Sequence, residues 1–376
     1  MATVEIHPIN RDRAGLKQFL RVATDLYRND PHWVAPIESD ARKVLGPDNP
    51  FYQHAEAALW IARRSGRAVG RIAAILNHAH NRTHTAQTVH FGFFECLDDH
   101  AVANALFQAA AEWAAQRGAR ELVGPMNPSI NEECGLLVNG FDSRPLIMMT
   151  YNLPYYARLI EAAGFTKAKD LIAFQIPVAA SLSRRLSVLT ARFRQRHPDI
   201  QIRAVRRSEL HAVIHRVKEV YNDAWEANWG HVPMTGEEID FLAARLKPLI
   251  VDGLALIAGN TQEAAGFLLM LPDFNEPAQA LRGRLLTPAL AGFLPYLLGW
   301  KTPRDVRLVA FGVKRKFRNH GIEPAMLGAA LETALKLGFQ NAEASWVLED
   351  NLAVAQLIQT FGGRPYKTYR IYERAI

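Results

Sequence analysis

The stretch LVAFGVKRKFRNHGIEPAMLGAAL, residues 308–331, joins three kinds of chemistry in one run. LVAFGV reads as an apolar strand, and KRKFRNHG is a basic turn around Arg318, Asn319, His320 and Gly321. From Pro324 the apolar residues take on helical spacing, PAMLGAALETALKLGF. A helix N-terminus exposes unpaired N–H groups and the positive end of the macrodipole, so this junction suits an anion such as phosphate. Gly321 lets the backbone approach such a ligand closely.

Working outward, 376 residues are too many for one ordinary core and point to two domains. An apolar content of 49% with 22% charged residues is that of a globular protein. The net charge of +7 suits anionic ligands, an anionic membrane surface or nucleic acid, but no single Lys/Arg block dominates. Cys96 and Cys134 give neither a disulfide framework nor a CxxC pair, which suits a reducing cytoplasm. The start, MATVEIHPINRDRAG, lacks the apolar core of a signal peptide. One segment, LLTPALAGFLPYLLGW at 285–300, is strongly apolar. It is short for a membrane span and is interrupted by Pro288, Gly292 and Pro295. It reads either as a buried helix or helical hairpin, or as an apolar flap that lines a lipid tunnel or dips into a membrane interface.

The chain repeats itself. VEIHPINRDRAGLKQFLRVATDLYRND at 4–30 matches IQIRAVRRSELHAVIHRVKEVYNDA at 200–224, and EAALWIARRSGRAVGRIAAIL matches GLALIAGNTQEAAGFLLML. VHFGFFE at 89–95 matches VRLVAFGV at 306–313. A long helix, a strand, another helix and two strands then follow in each half, predicting β-α-β-β-β-α-β-α-β-β twice. The expected fold class is therefore α/β, with a mixed sheet and helices on its faces, in two tandem domains. The domains fall at 1–180 and 198–376, joined by a helix at 181–197.

This element order, with its strand–loop–helix at 308–331, resembles the GNAT acyltransferase fold in tandem. In that family the loop after the fourth strand reads Arg/Gln-x-x-Gly-x-Gly/Ala, and its amides hold the pyrophosphate of coenzyme A. The matching residues are Arg318, Gly321 and Glu323, the last a departure from the pattern. The resemblance implies acyl-CoA as co-substrate, no metal, and a cofactor-binding set of Val313, Arg318, Asn319, His320, Gly321, Ile322 and Asn351. Asn351 matches a pantetheine-contacting Asn, and Gly362-Gly363 the glycine that ends the next helix. The family's usual Tyr acid is Ile358 in this sequence. The first half's loop, FFECLDDHAVAN, places Asp98 and Asp99 where phosphate would lie. They suit a helix N-cap and repel an anion, which leaves that half the acceptor side.

Other stretches carry candidate chemistry. GPMNPSINEECGLLVNGFDS, 124–143, is rich in turn formers and holds Asn131, Glu132 and Glu133. It reads as a structured capping loop, or as an acceptor-binding loop in which a buried Glu serves as general base. Trp225 and Trp229 in YNDAWEANWGHVPMT are either pocket walls or packed core aromatics. The fourth and fifth strands splay apart in the GNAT fold, so the resemblance implies that Glu349 and Asp350, at the end of the fifth, lie near His320's loop, as further candidate bases or as helix caps. His78, His80, His84 and His90 stand without a Cys or carboxylate among them, so a polar turn excursion accounts for them better than a metal. No Walker loop, GxGxxG, HExxH or GxSxG occurs.

Across almost the full length, NDPHWVAP, NPFYQHAEAALW, GPMNPSINEECGLLVNGF, NDAWEANWG and SWVLEDN are similar to bacterial proteins related to ceramide synthase. That implies a long-chain acyl-CoA donor, a sphingoid-base amine acceptor lying between the halves, and a place in the cytoplasm or at the inner membrane face. A small-molecule or peptide N-acetyltransferase of the same fold, and a non-catalytic acyl-CoA or lipid-binding protein, remain the alternatives.

Overall fold

The computed structural model describes residues 3–226 and 228–376. The chain divides into two compact units. The first holds residues 1–172, 281–287 and 367–376; the second holds 173–280 and 288–366. The sequence boundaries at 180 and 198 follow the repeat, whereas the units exchange chain. Residues 367–376, the last stretch of the second half, pair in the first unit from Tyr372↔Gly124 to Ala375↔Glu121.

In the first unit the strands Val4–Ile9, Ala55–Arg64, Arg67–Asn77 and Thr88–Cys96 run antiparallel in that order. Glu121–Gly124 then lies parallel to Thr88–Cys96. The first hairpin turns at Ser65-Gly66, with φ of 49° and 75°, the two positive values a tight two-residue turn requires. Asp12 caps the helix Arg13–Leu26, and its buried residues Leu16, Phe19, Val22 and Ala23 recur at one helical face. On the sheet's other side Val102, Leu106, Phe107 and Ala110 of His100–Ala115 close over Phe91, Phe94 and Phe165.

The second unit repeats the plan. Gln201–Ala204, Ala255–Gly259, Ala264–Pro272 and Asp305–Val313 are antiparallel neighbours, and Asn341–Leu348 lies parallel to the last of them. The helix Ala180–Arg196 belongs to this unit and packs on Ile322–Lys336. At their crossing a Cβ on Gly328 would stand 2.9 Å from Thr190 Oγ1 and 3.0 Å from Leu186 Cβ. Glycine is what allows that approach.

Two local expectations give way. The segment expected as two closing strands in each half is a single strand, Thr166–Pro177 and Arg364–Ala375. Within the first of them Asp170 takes a two-pronged bond from Arg370 at 2.8 and 3.0 Å, which holds the strand through that charge. The histidine segment is a short helix, His78–His84, rather than an irregular excursion. Asn77 caps it by accepting from the N–H groups of Ala79 and His80.

Candidate active site

The decisive stretch folds as read. The strand Asp305–Val313 runs into a 3-10 turn at Arg315–Phe317, and the helix Ile322–Lys336 follows. Asn319 and Gly321 both have positive φ, 65° and 84°. Gly321 is the N-cap and supplies no side-chain cap. The N–H groups of the first helical turn therefore face a place where no protein oxygen from a cap has been put. A Cβ on Gly321 would find only Phe193 Cδ2, at 3.9 Å, so what the glycine provides is backbone conformation rather than room.

The basic side chains of this loop are held by the protein. Lys314 reaches Glu219 at 3.2 Å, Lys316 reaches Glu263, and Arg315 pairs with Glu226 while its N–H donates to Asp223 at 2.8 Å. Arg318 donates to the carbonyls of Val313 at 3.1 Å and Ala224 at 2.7 Å. It thereby ties the strand end to the C-terminal turn of the helix Leu210–Trp225, where a cation is favourable. His320 is exposed, its ring edge-on to His197 at 5.7 Å. Glu323 sits half-buried in the first helical turn.

Beside this loop the parallel ladder stops early. Asp305–Val313 pairs with Asn341–Leu348 from Asp305↔Asn341 to Leu308↔Ala344 and no further. On its other edge the register slips between Leu269 and Met270, which leaves Val309 as an extra residue. The strands thus part just ahead of the loop, and residues 308–311 are half-buried at the opening. Below the opening lies a buried polar group: Arg307 donates to Ser345 Oγ at 2.9 Å, Ser345 Oγ to Glu343 at 2.6 Å, and the Tyr366 hydroxyl to Glu343. Trp225 closes one side. It stacks on Tyr221 at 4.6 Å, meets Phe267 at 5.6 Å, and would touch a Cβ on Gly312 at 2.5 Å. Trp225 is thus packed on the sheet yet only half-buried. Trp229 is half-buried in the turn that follows.

Glu349 is half-buried and Asp350 exposed just past the strand end. Asn351 caps the helix Leu352–Thr360, its Oδ1 accepting from Val354 N–H at 3.3 Å. Ile358 is buried and would lie 2.4 Å from a Cβ on Gly363. That position faces the core, so no polar side chain serves from it.

The first unit parts its strands in the same place and then fills the gap with its own chain. Its parallel ladder ends at His90↔Val123, and Phe93, at φ 49°, lies in the irregular stretch beyond. Asn127 Oδ1 accepts from Phe93 N–H at 2.6 Å, and a Cβ on Gly92 would collide with Met126 O at 1.7 Å. Asp99 accepts from Ala101 and Val102 N–H at 2.9 and 3.2 Å and takes a 2.6 Å ion pair from Arg64. Asp98 pairs with Arg158 at 2.6 Å. Here Asp99 caps the helix and Asn127 holds the strand-end amide, whereas Gly321 of the second unit gives its helix no side-chain cap.

Met126–Asn127 pairs with Glu133–Cys134, so Glu133 stands opposite Asn127. Asn131, Glu132 and Glu133 are all half-buried. Sequence reasoning passed over Tyr52. Its hydroxyl is buried with no hydrogen-bond partner among the described residues, and its ring lies under the Arg11 guanidinium, 3.5 Å from the centroid. Burial pushes this hydroxyl up to about 12, with Arg11 pulling against it and the Glu132 carboxylate adding to it. NPFYQH shows a Tyr, but spacing reveals neither its nearness to Glu132 nor that its hydroxyl lacks a partner. His80, His84 and His90 do cluster, the His80 ring centroid lying 4.7 Å from that of each of the other two. Among the described residues no three His, Cys, Asp or Glu are placed to hold a metal ion. Cys96 and Cys134 are both buried and form no disulfide.

Two solved structures share this fold over nearly the whole chain. One is a tandem GNAT protein from the clavulanic acid biosynthesis pathway, 14% identical, TM-score 0.59, covering 99% of this chain and 98% of that one. The other is a GCN5-related N-acetyltransferase from Sphaerobacter thermophilus, 15% identical, TM-score 0.52, covering 99% and 95%. No protein-family profile matches the chain. The chain thus has a tandem GNAT fold. Among curated proteins the bacterial ceramide synthase of Caulobacter vibrioides is 36% identical over 382 aligned positions, 100% of this chain and 98% of that one. Protein YghO of Escherichia coli is 33% identical over 96% of this chain and 93% of its own length. The chain belongs to the bacterial ceramide synthase family.

Proposed function

We propose that the protein transfers a long acyl chain from acyl-CoA to the amine of a sphingoid base. The carrying observation is the second unit's uncapped helix end at Gly321, set where the strands part after Leu308 and Ala344. The phosphates of CoA take the free N–H groups at 320–323, and the pantetheine and thioester lie between residues 309–313 and 345–348. The strand-end amides there polarise the thioester carbonyl. The amine nitrogen attacks the carbonyl carbon, the C–S bond breaks, and the amine's proton is taken by a base and returned to the departing thiolate. For that base we put forward the first unit's Glu132 or Glu133, with Glu349 and His320 of the second unit as the other candidates. Asn131, Trp225 and Trp229 line the acceptor. Asn351 acts through its cap, by fixing the start of Leu352–Thr360.

The sphingoid acceptor draws its support from the Caulobacter relative's name, and an acceptor of that class is the chemistry that yields a ceramide. Thiol release measured with acetyl-, decanoyl- and palmitoyl-CoA tests the donor, and mass spectrometry of extracted product tests the acceptor, with sphinganine set against a short alkylamine. Release with palmitoyl-CoA that requires sphinganine bears the reading out. A buried Ile358 where the family carries Tyr gives a binding-only protein one point in its favour. Such a protein would melt higher with acyl-CoA and release no thiol with any amine.

A further inference from the structure

Residues 285–300 contain no charged side chain and no histidine. The part in the second unit, 288–300, forms the helix Leu290–Leu297, and only part of it is used by the core. Phe293 turns inward, 6% exposed, against Phe274 at 6.2 Å. The opposite face is apolar too: Ala291 and Gly292 are exposed, and Leu294 and Leu298 are 41% and 55% exposed. A helix apolar on all sides is normally enclosed by protein or lipid. No helix among the described residues is long and apolar enough to cross a membrane, so this one does not span.

The end of the helix holds the patch in a fixed shape. Gly299 has φ 73°, its N–H donates to Tyr296 O at 3.2 Å, and Trp300 N–H donates to Pro295 O at 2.8 Å. This pair of bonds is the Schellman C-cap, in which the residue at the Trp300 position usually folds an apolar side chain back onto the helix. Here Trp300 is 76% exposed, so its backbone is locked while its indole stands in solvent. Exposed Lys301 and Arg304 follow within four residues. A rigid apolar patch tipped by an indole and rimmed by cations matches an anionic lipid surface: the leucines enter the acyl boundary, the indole sits at headgroup level, and the cations meet lipid phosphate.

We infer that Leu294, Leu298, Trp300, Lys301 and Arg304 form a membrane-docking surface for anionic bilayers. The inference rests on the patch and not on which amine is acylated.

Vesicle co-sedimentation of the full chain tests it. The protein should pellet with vesicles of equal parts phosphatidylglycerol and phosphatidylcholine, and far less with phosphatidylcholine alone. The triple variant Leu294→Ser/Leu298→Ser/Trp300→Ser should bind the anionic vesicles at least about tenfold more weakly, because apolar insertion supplies much of such binding. Lys301→Glu/Arg304→Glu should lose the preference for anionic lipid. Val188→Ser, which removes a 51% exposed apolar side chain elsewhere in this unit, should bind like the parent. Melting of each variant like the parent shows that folding is not what changed. The inference is overturned if the parent fails to pellet with either vesicle, or if the triple variant pellets equally well. It is also overturned if light scattering shows a dimer that the triple variant abolishes, since a second copy would then cover the patch.

Discussion

Asp99 and Gly321 stand at the start of matching helices, one capping its helix with a carboxylate and the other leaving it open. Gly321→Asp should put the first unit's charge into the second. The carboxylate would repel phosphate, and a side chain at φ 84° adds about 1–2 kcal/mol of backbone strain, so melting should fall modestly while the protein stays folded. Acyl-CoA affinity by calorimetry should fall at least about 100-fold, the loss of two charge-assisted hydrogen bonds at roughly 1.5–3 kcal/mol each. Unchanged affinity would remove the phosphate site from this loop. Tyr52 gives a second test. Its hydroxyl has no partner among the described residues, so Tyr52→Phe should leave melting unchanged or slightly raised. If the hydroxyl instead meets the acceptor beside Glu132, the KM for the amine should rise while that for acyl-CoA stays put. Glu132→Gln and Glu133→Gln separate base from cap. A lost base lowers the rate about 100-fold or more, and a lost cap lowers stability by about 1 kcal/mol with turnover intact. His90 is a stability probe. Burial, with His80 and His84 adding to it, pulls its pKa from 6.5 down to about 3. Its folded form refuses a proton the unfolded chain accepts, so its full contribution is present above pH 6.5 and shrinks as pH falls toward 3. Between pH 6.5 and 5 that amounts to about 2 kcal/mol, and His90→Gln should lose correspondingly less over the same interval in urea titrations. Gly321 and Asp99 were legible as residues because backbone freedom and charge act locally. Arg318 was legible only as a position: its bonds to Val313 and Ala224 depend on a helix 94 residues away.

Paired elements were legible wherever a period or a turn spoke for them. The Ser65-Gly66 hairpin, the amphipathic helix after Asp12 and the strand–loop–helix at 308–331 all follow from local pattern. The long strand Thr166–Pro177 was not, because the ion pair that carries it past Asp170 comes from Arg370. The parting of strands after Leu308 was available only through the family likeness, since nothing in AFGV or SWVL says where a ladder ends. Nor does the run of residues 180–196 announce its partner helix. That contact turns on Gly328, whose neighbours Thr190 and Leu186 leave no space for a side chain. Gly328→Leu should force the two helices apart and lower stability by about 1–3 kcal/mol in urea unfolding. It should also weaken acyl-CoA binding, because Ile322–Lys336 carries the open N-terminus. A variant as stable as the parent would mean that the helices yield there without loss.

For the molecule as a whole, the repeat was plain in the sequence while the exchange of chain between the units was hidden by it. Tyr369, Ile371 and Tyr372 are almost wholly buried, yet they belong to the first unit's core and lie at the far end of the numbering. Removing 367–376 should therefore open the first unit and leave the second protected, as read by hydrogen exchange of Ala55–Asn77 against Ala255–Pro272. Equal protection in both would show that the last strand is dispensable. The same feature sets an order on biosynthesis. At about 5–20 residues per second, roughly 10–50 s pass on the ribosome between Gly124 and the Tyr372 that pairs with it. Through that interval the earlier-made half waits with an open strand edge, the kind of edge that chaperones cover and that otherwise aggregates. A chain cut short by a late stop codon would lose the half that was translated first.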